Sequence, residues 1–305
     1  MLGPQILKAH LALLVVNVLY GANHVLAKGV MPQFLDPNTF ILLRVGGAVV
    51  LFWILLLSQK RKPIDRADYW RFAAAGLFGV AVNQLFFFHG LNLSSALNAG
   101  IIMALNPLMV FVLAALLTKE KLSAHNYTGV VIGATGAILL TLSSGSMPGA
   151  SLLGDVFLLI NALSYALYLV LSKPLLLKYS PIQVITYVFS IGLALLLLFP
   201  PTWTNLGNVH FEQIPISAWY KITYVIVGVT FLTYLLTIFG LKYVSATVSA
   251  AYIYTQPVMV MFFTVLFSML GWAADYTHTI TAQRILYMLF IFTGVYLVSF
   301  HKAKK

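Results

Sequence analysis

Predominantly apolar stretches of about 20 residues, parted by short clusters of charged, glycine and proline positions, recur along the whole chain. Each is long enough to predict a helix crossing a bilayer core roughly 30 Å thick. Ten are predicted: 9–29, 38–58, 69–90, 95–117, 124–143, 152–177, 181–200, 218–241, 246–269 and 281–300. The strands of a membrane barrel alternate apolar and polar residues, and continuous runs such as Leu108 to Leu117 exclude that pattern. The first stretch is as long as the others and no small-x-small cleavage site clearly comes after it, so a retained helix is expected rather than a signal peptide.

Within this pattern one segment occurs twice. Residues 90–117 (GLNLSSALNAGIIMALNPLMVFVLAALL) match residues 240–267 (GLKYVSATVSAAYIYTQPVMVMFFTVLF) without a gap, with eight identities in 28 positions at a shift of 150. The glycine- and serine-rich stretch 143–151 separates the copies, giving a first half over 1–145 and a second over 150–305. Five spans per half, an odd number, make the repeats antiparallel. The expected fold class is therefore an all-α integral membrane protein of ten transmembrane helices in two inverted five-helix repeats. The first spans of the halves align less sharply: a shift of 144 pairs Asn17 with Asn161, while 145 pairs Tyr20 with Tyr165.

Composition agrees: 8% of residues are charged and 61% hydrophobic, where a soluble domain has about 25% charged. The net charge of +11 reads as topology. Lys8, Lys60, Arg61, Lys62, Arg66, Arg71, Lys119, Lys121, Lys173, Lys178, Lys242, Lys302, Lys304 and Lys305 fall on one side, against Lys28, Lys221 and Arg284 on the other. The basic side is predicted cytoplasmic, with both termini there. Membrane lipid is thus an expected partner and nucleic acid is not. The chain has no cysteine, which excludes disulfides and thiolate metal sites. No metal and no cofactor are expected. Gly129, Gly133 and Gly136 give span five a flat face for close packing within the monomer or for a homodimer. The connection 201–217, flanked by Trp203, Trp219 and Tyr220, is expected to lie along the interface.

The stretches LYGANHVLAKGV (19–30) with Pro37 and Arg44, GLNLSSALNAGIIMALNPLMVFVLAALLTKEKLS (90–123) with Gly129 and Gly136, and LSYALYLVLSK (163–173) resemble the EamA-type branch of the drug/metabolite transporter superfamily. The resemblance spans nearly the whole chain. It implies a ten-helix inverted-repeat carrier of the cell (inner) or plasma membrane that moves small metabolites, often outward, by alternating access. The chain departs from the family in Tyr20, where Trp is usual, and in Lys119-Glu120 and Gly271-Trp272, where Gly-Glu is common.

Candidate site residues emerge from polarity at membrane depth. Pro107 and Pro257 each come directly after an amide, Asn106 and Gln256, and should free the carbonyls of Met103 and Ile253, marking a hinge and a substrate wall. A plain kink with amides bonded between helices is the other reading. Asn98 and Tyr252 share those faces. Asn17, Tyr20 and His24, with Asn161, Tyr165 and Tyr168, form polar stripes that could build the opposite wall, completed by Asn83, Gln84 and Tyr234. Lys28 and Arg44 are expected in an outer vestibule attracting an anion, with snorkelling of Lys28 as the alternative. Glu120 is expected at an inner gate. No acid falls at mid-span, which argues against cationic-drug exchange through a buried carboxylate and favours neutral, zwitterionic or anionic solutes. Proton coupling would use His24, His89 or Asp155; facilitated diffusion stays open. The cavity is expected between spans one, three and four and spans six, eight and nine.

The chain has no H-E-x-x-H, G-x-S-x-G, Walker loop or carboxylate pair, so an enzyme is not expected. The predicted function is a secondary transporter or facilitator, of exporter type, for amino acids or related solutes. A nucleotide-sugar or phosphorylated-metabolite exchanger and a non-transporting receptor are the alternatives.

Overall fold

The computed structural model describes residues 3–26, 34–93, 102–103, 105–118, 123–142, 151–270 and 281–300. These fold into helices at every predicted span: α1 (Pro4–Leu26), α2 (Pro37–Leu57), α3 (Arg66–Leu93), α4 (Asn106–Thr118), α5 (Ala124–Leu142), α6 (Leu152–Lys178), α7 (Pro181–Leu197), α8 (Ile216–Tyr243), α9 (246–269) and α10 (Ala282–Phe300). By length and apolarity, α1, α2, α3, α6 and α8 suffice to cross a membrane, and α7 joins them if counted with the bent helix after it.

Capping residues set several starts. Asp36 accepts the backbone N–H of Asn38 and Thr39 before Pro37, Ser151 accepts Gly154 N–H, and Ser180 accepts Gln183 N–H before Pro181. Each satisfies donors that a helix start leaves open, with proline pre-set at the first position of α2 and α7. Pro4 likewise opens α1 five residues ahead of the expected apolar start. α7 ends at Leu197, and the chain turns by 86° into the short turns Pro201–Thr204 and Asn205–Asn208.

Among the described residues three helices are irregular. α3 and α8 carry π-helical segments, Leu77–Val82 and Tyr224–Leu232, which overlap once 150 is added to the first. α9 is built of Ala246–Ala251, the 3-10 turn Tyr252–Thr255 and Gln256–Met269. The Ile253 carbonyl, expected to be freed by Pro257, accepts the Gln256 N–H instead, because tightening to a 3-10 turn supplies a donor one residue nearer.

Helix contacts repeat with the halves exchanged. α1 packs on α8 as α6 packs on α3, α1 on α9 as α6 on α4, and α2 on α8 as α7 on α3. The pairs α2 with α7 and α5 with α10 are their own counterparts. Glycines settle the register of the first spans. A Cβ on Gly240 would sit 2.7 Å from Leu13, and one on Gly90 would sit 3.0 Å from Leu158. Since 90 and 240 are equivalent, so are 13 and 158, which selects the shift of 145. Gly129 and Gly136 of α5 face α10 within the chain, and Gly133 faces α9: a Cβ on Gly129 would lie 2.8 Å from Gly294 O, one on Gly136 2.8 Å from Phe290 and one on Gly133 2.5 Å from the Tyr254 ring. The main core joins α2, α3, α6, α7 and α8 through residues such as Phe52, Val80, Leu169, Val188 and Ile238.

Candidate functional site

The two π segments bring their helices together on residues 150 apart. Gln84 of α3 donates from Nε2 to Tyr234 Oη of α8 at 3.0 Å and to Asn83 Oδ1 at 3.1 Å, and the Tyr234 hydroxyl lies 3.3 Å from the same Asn83 oxygen. Asn161 of α6 donates to the Asn83 carbonyl at 2.8 Å. The Tyr168 ring lies 6.1 Å from Tyr234 and 5.8 Å from Tyr165, while Tyr20 of α1 accepts from Thr233 at 3.3 Å. A π turn carries one extra residue and rotates the rest of the helix beyond it, which is how α3 and α8 present amide and phenol to the same point.

This cluster is buried but not saturated. Gln84 Oε1 and the Tyr168 hydroxyl have no hydrogen-bond partner, nor do Asn17 Oδ1 of α1 and Asn106 Oδ1 of α4. Orphaned buried oxygens are costly, and a ligand or water supplying donors would relieve them.

Arg44 of α2 is 6% exposed. Its Nε donates to Thr230 Oγ1 at 3.1 Å, and its guanidinium carbon lies 5.0 Å from the Phe88 ring centre. The Thr230 hydroxyl in turn donates to Val225 O at 2.7 Å, closing a carbonyl five residues back in the π segment. Tyr20 and Tyr234 lie within electrostatic reach of the charge. Arg44 is thus packed among helices beside the phenols.

The other expected residues scatter. Asn106 donates to Ala162 O at 3.0 Å and Asn17 to Leu13 O at 2.7 Å, while Tyr252 bonds His10 of α1 at 2.8 Å, away from the cluster. Pro107 is buried and Gln256 half-buried at the last break of α9. His89 bonds Asn38 at 2.9 Å. Lys28, Asn98 and Glu120 lie outside the described residues, as do the side chains of His24 and Pro257.

Sequence reading missed two cross-links at the basic end of the bundle. Asp68, at the start of α3, takes Lys178 at 2.7 Å, Arg71 at 2.8 Å and the Tyr179 hydroxyl at 2.9 Å, tying the halves together. Lys173 of α6 donates to Leu241 O at 2.6 Å, Lys242 O at 3.2 Å and Val244 O. Its counterpart at the 145 shift is Lys28. At the opposite end Asp36 also accepts from Thr39 Oγ1 and Asn205 Nδ2, beside an open cleft of about 560 Å³ lined by Phe34, Asn208, His210 and Gln213. Burial alone raises the Asp36 pKa, but the hydrogen bonds from Thr39, Asn205 and the backbone outweigh it and hold it below the usual value. Among the described residues no group of acids and histidines has the arrangement of a metal site.

Residues 7–142 and 152–300 each match the EamA-like transporter family. The uncharacterized transporter YyaM of Bacillus subtilis is 27% identical, with 84% of each chain covered. A WAT1-related protein of Arabidopsis thaliana is 25% identical over 71% of this chain and 65% of its own. A crystal structure with 20% identity covers 95% of both chains at a TM-score of 0.69 and carries the same fold.

Proposed function

The chain belongs to the EamA-like transporter family, a multi-pass membrane transporter, and from that premise we propose a carrier of small neutral, zwitterionic or anionic metabolites working by alternating access. The observation that carries this is the unsaturated polar cluster of Gln84, Tyr234, Asn83 and Tyr168, placed where equivalent positions of the two halves meet. A site at that place can face either side when the halves rock.

All ten helices span the membrane, in two inverted repeats over 1–145 and 150–305; the exchanged contacts of α1 with α8 and α6 with α3 support this. Both termini are cytoplasmic in a cell inner membrane, net flux is outward, and the 3-10 turn before Pro257 and the start of α4 at Asn106 and Pro107 serve as hinges. Asp68 with Lys178 closes the cytoplasmic end in this state. Partners are the small-molecule substrate and lipid, with the chain acting as monomer or homodimer; the α5 glycines are already covered by α10 and by Tyr254 of α9. It acts as a transporter without enzymatic chemistry. One guanidinium in the cluster suits a single anionic group better than the several charges of a nucleotide sugar.

The test is counterflow in proteoliposomes with a panel of amino and organic acids, with and without a pH gradient, beside Gln84→Leu and Tyr234→Phe. Flux of one solute class that both substitutions abolish in folded protein is expected. Flux untouched by both would remove the site; saturable binding with no flux for any solute would favour a receptor.

A further inference from the structure

Arg44 is a cation to which no described acid serves as counter-ion. Asp36 caps α2 and holds Asn205, Asp65 and Asp68 take Lys178, Glu212 takes His210, and Asp155, in the first turn of α6, is not among the groups that act on the Arg44 charge. The one hydrogen bond of Arg44 to a described residue uses Nε, and neither terminal nitrogen bonds a described residue. Burying a guanidinium is costly unless its charge and donors are met, so the vacant donors need a ligand.

We propose that the guanidinium of Arg44 is the group that recognises the substrate's anionic end, and that the solute is an organic anion or zwitterion bearing one carboxylate. The two free nitrogens offer parallel N–H donors that match a carboxylate's two oxygens. Thr230 fixes the orientation by holding Nε, and the guanidinium carbon lies over the Phe88 ring, 5.0 Å from its centre. The tyrosines Tyr20 and Tyr234 lie beside the charge, and the orphaned Gln84 Oε1 and Tyr168 hydroxyl belong to the same cluster. This inference rests on the carrier reading for its meaning in transport, but the anion site itself can be tested without flux.

Purified protein is followed by thermal unfolding with sodium acetate, sodium benzoate, acetamide, benzamide or sodium chloride, with the bulky sulfonate of HEPES balancing sodium. The wild type should be stabilised by the acids and not by the amides. Arg44→Met should lose that shift and unfold at a higher temperature than wild type in anion-poor buffer, since an unpaired buried charge has been removed. Arg44→Lys, which keeps the charge without the fork, should retain a weakened shift, with affinity down roughly ten- to hundredfold. Equal stabilisation by acid and amide would overturn the proposal, as would an acid shift that survives in Arg44→Met. Stabilisation by chloride but neither carboxylate would overturn the organic-anion assignment. If Arg44→Met does not fold, the acid-against-amide comparison in wild type and Arg44→Lys decides. An Arg44-dependent shift with no counterflow of any solute would sink the carrier reading and leave the anion site standing.

Discussion

Replacing Lys173 by Met should open the basic end of the bundle. The last carbonyls of α8 have no partner further along the helix. Val244 N–H takes Gly240 O at 3.1 Å, and the Lys173 ammonium takes Leu241 O at 2.6 Å and Lys242 O at 3.2 Å, then reaches Val244 O beyond. A hydrogen bond to a charged group contributes about 1.5–3 kcal/mol, and a cation at a helix C-terminus up to ~2 kcal/mol in partly buried sites. These describe the same charge and do not add, so about 2 kcal/mol is lost, or ~30-fold in the equilibrium between closed and open ends. The chain has no cysteine, so Thr247→Cys gives a single reporter. Thr247 is 0% exposed and lies in the first turn of α9, three residues past Val244. Labelling by a water-soluble maleimide should rise by roughly 30-fold in Lys173→Met when it tracks the open population. Labelling within about threefold of the parent, with an unchanged unfolding midpoint, would refute the reasoning.

Four further outcomes are expected. A double-mutant cycle of Gln84→Leu and Tyr234→Phe, read by detergent-titrated unfolding, should give a coupling of about 0.6 to ~1.7 kcal/mol, the range for hydrogen bonds between membrane helices. Gly294→Ala places a Cβ 2.5 Å from Gly133 Cα and should cost about 1–3 kcal/mol of stability, because both sides are backbone and neither can repack. Because the Asp36 pKa is depressed in the folded protein, its stabilisation is complete above the unfolded value of 3.8 and is lost as pH falls through the folded value; Asp36→Asn should flatten that acid limb in a thermal-unfolding series. Asp68→Asn should weaken the tie to Lys178 and Tyr179 and raise maleimide labelling at position 247, a change that 0.5 M salt should not reproduce in full since Asp68 is 1% exposed.

The sequence by itself determined the helices and the duplication. Apolar run length set the elements, and Asp36-Pro37, Ser151 and Ser180-Pro181 set their starts, because capping is a contact between residues two or three apart. The polar residues of the cluster were also legible as residue types, since Asn83, Gln84, Tyr165, Tyr168 and Tyr234 interrupt apolar runs. Which of them meet was not. The π segments in α3 and α8 turn Gln84 towards Tyr234, while Tyr252, on a face that looked equivalent, turns to His10. An inserted residue in a helix changes the facing of every side chain beyond it, and apolar periodicity is too weak in lipid-facing helices to reveal it. The same holds for Lys173, which reads as a cytoplasmic charge until α8 ends against it, and for Arg44, whose Thr230 and Phe88 come from helices 186 and 44 residues further along the chain. Local chemistry fixes where helices begin and how deep a charge lies; only packing between distant helices decides which donors are met and which stay open for a ligand.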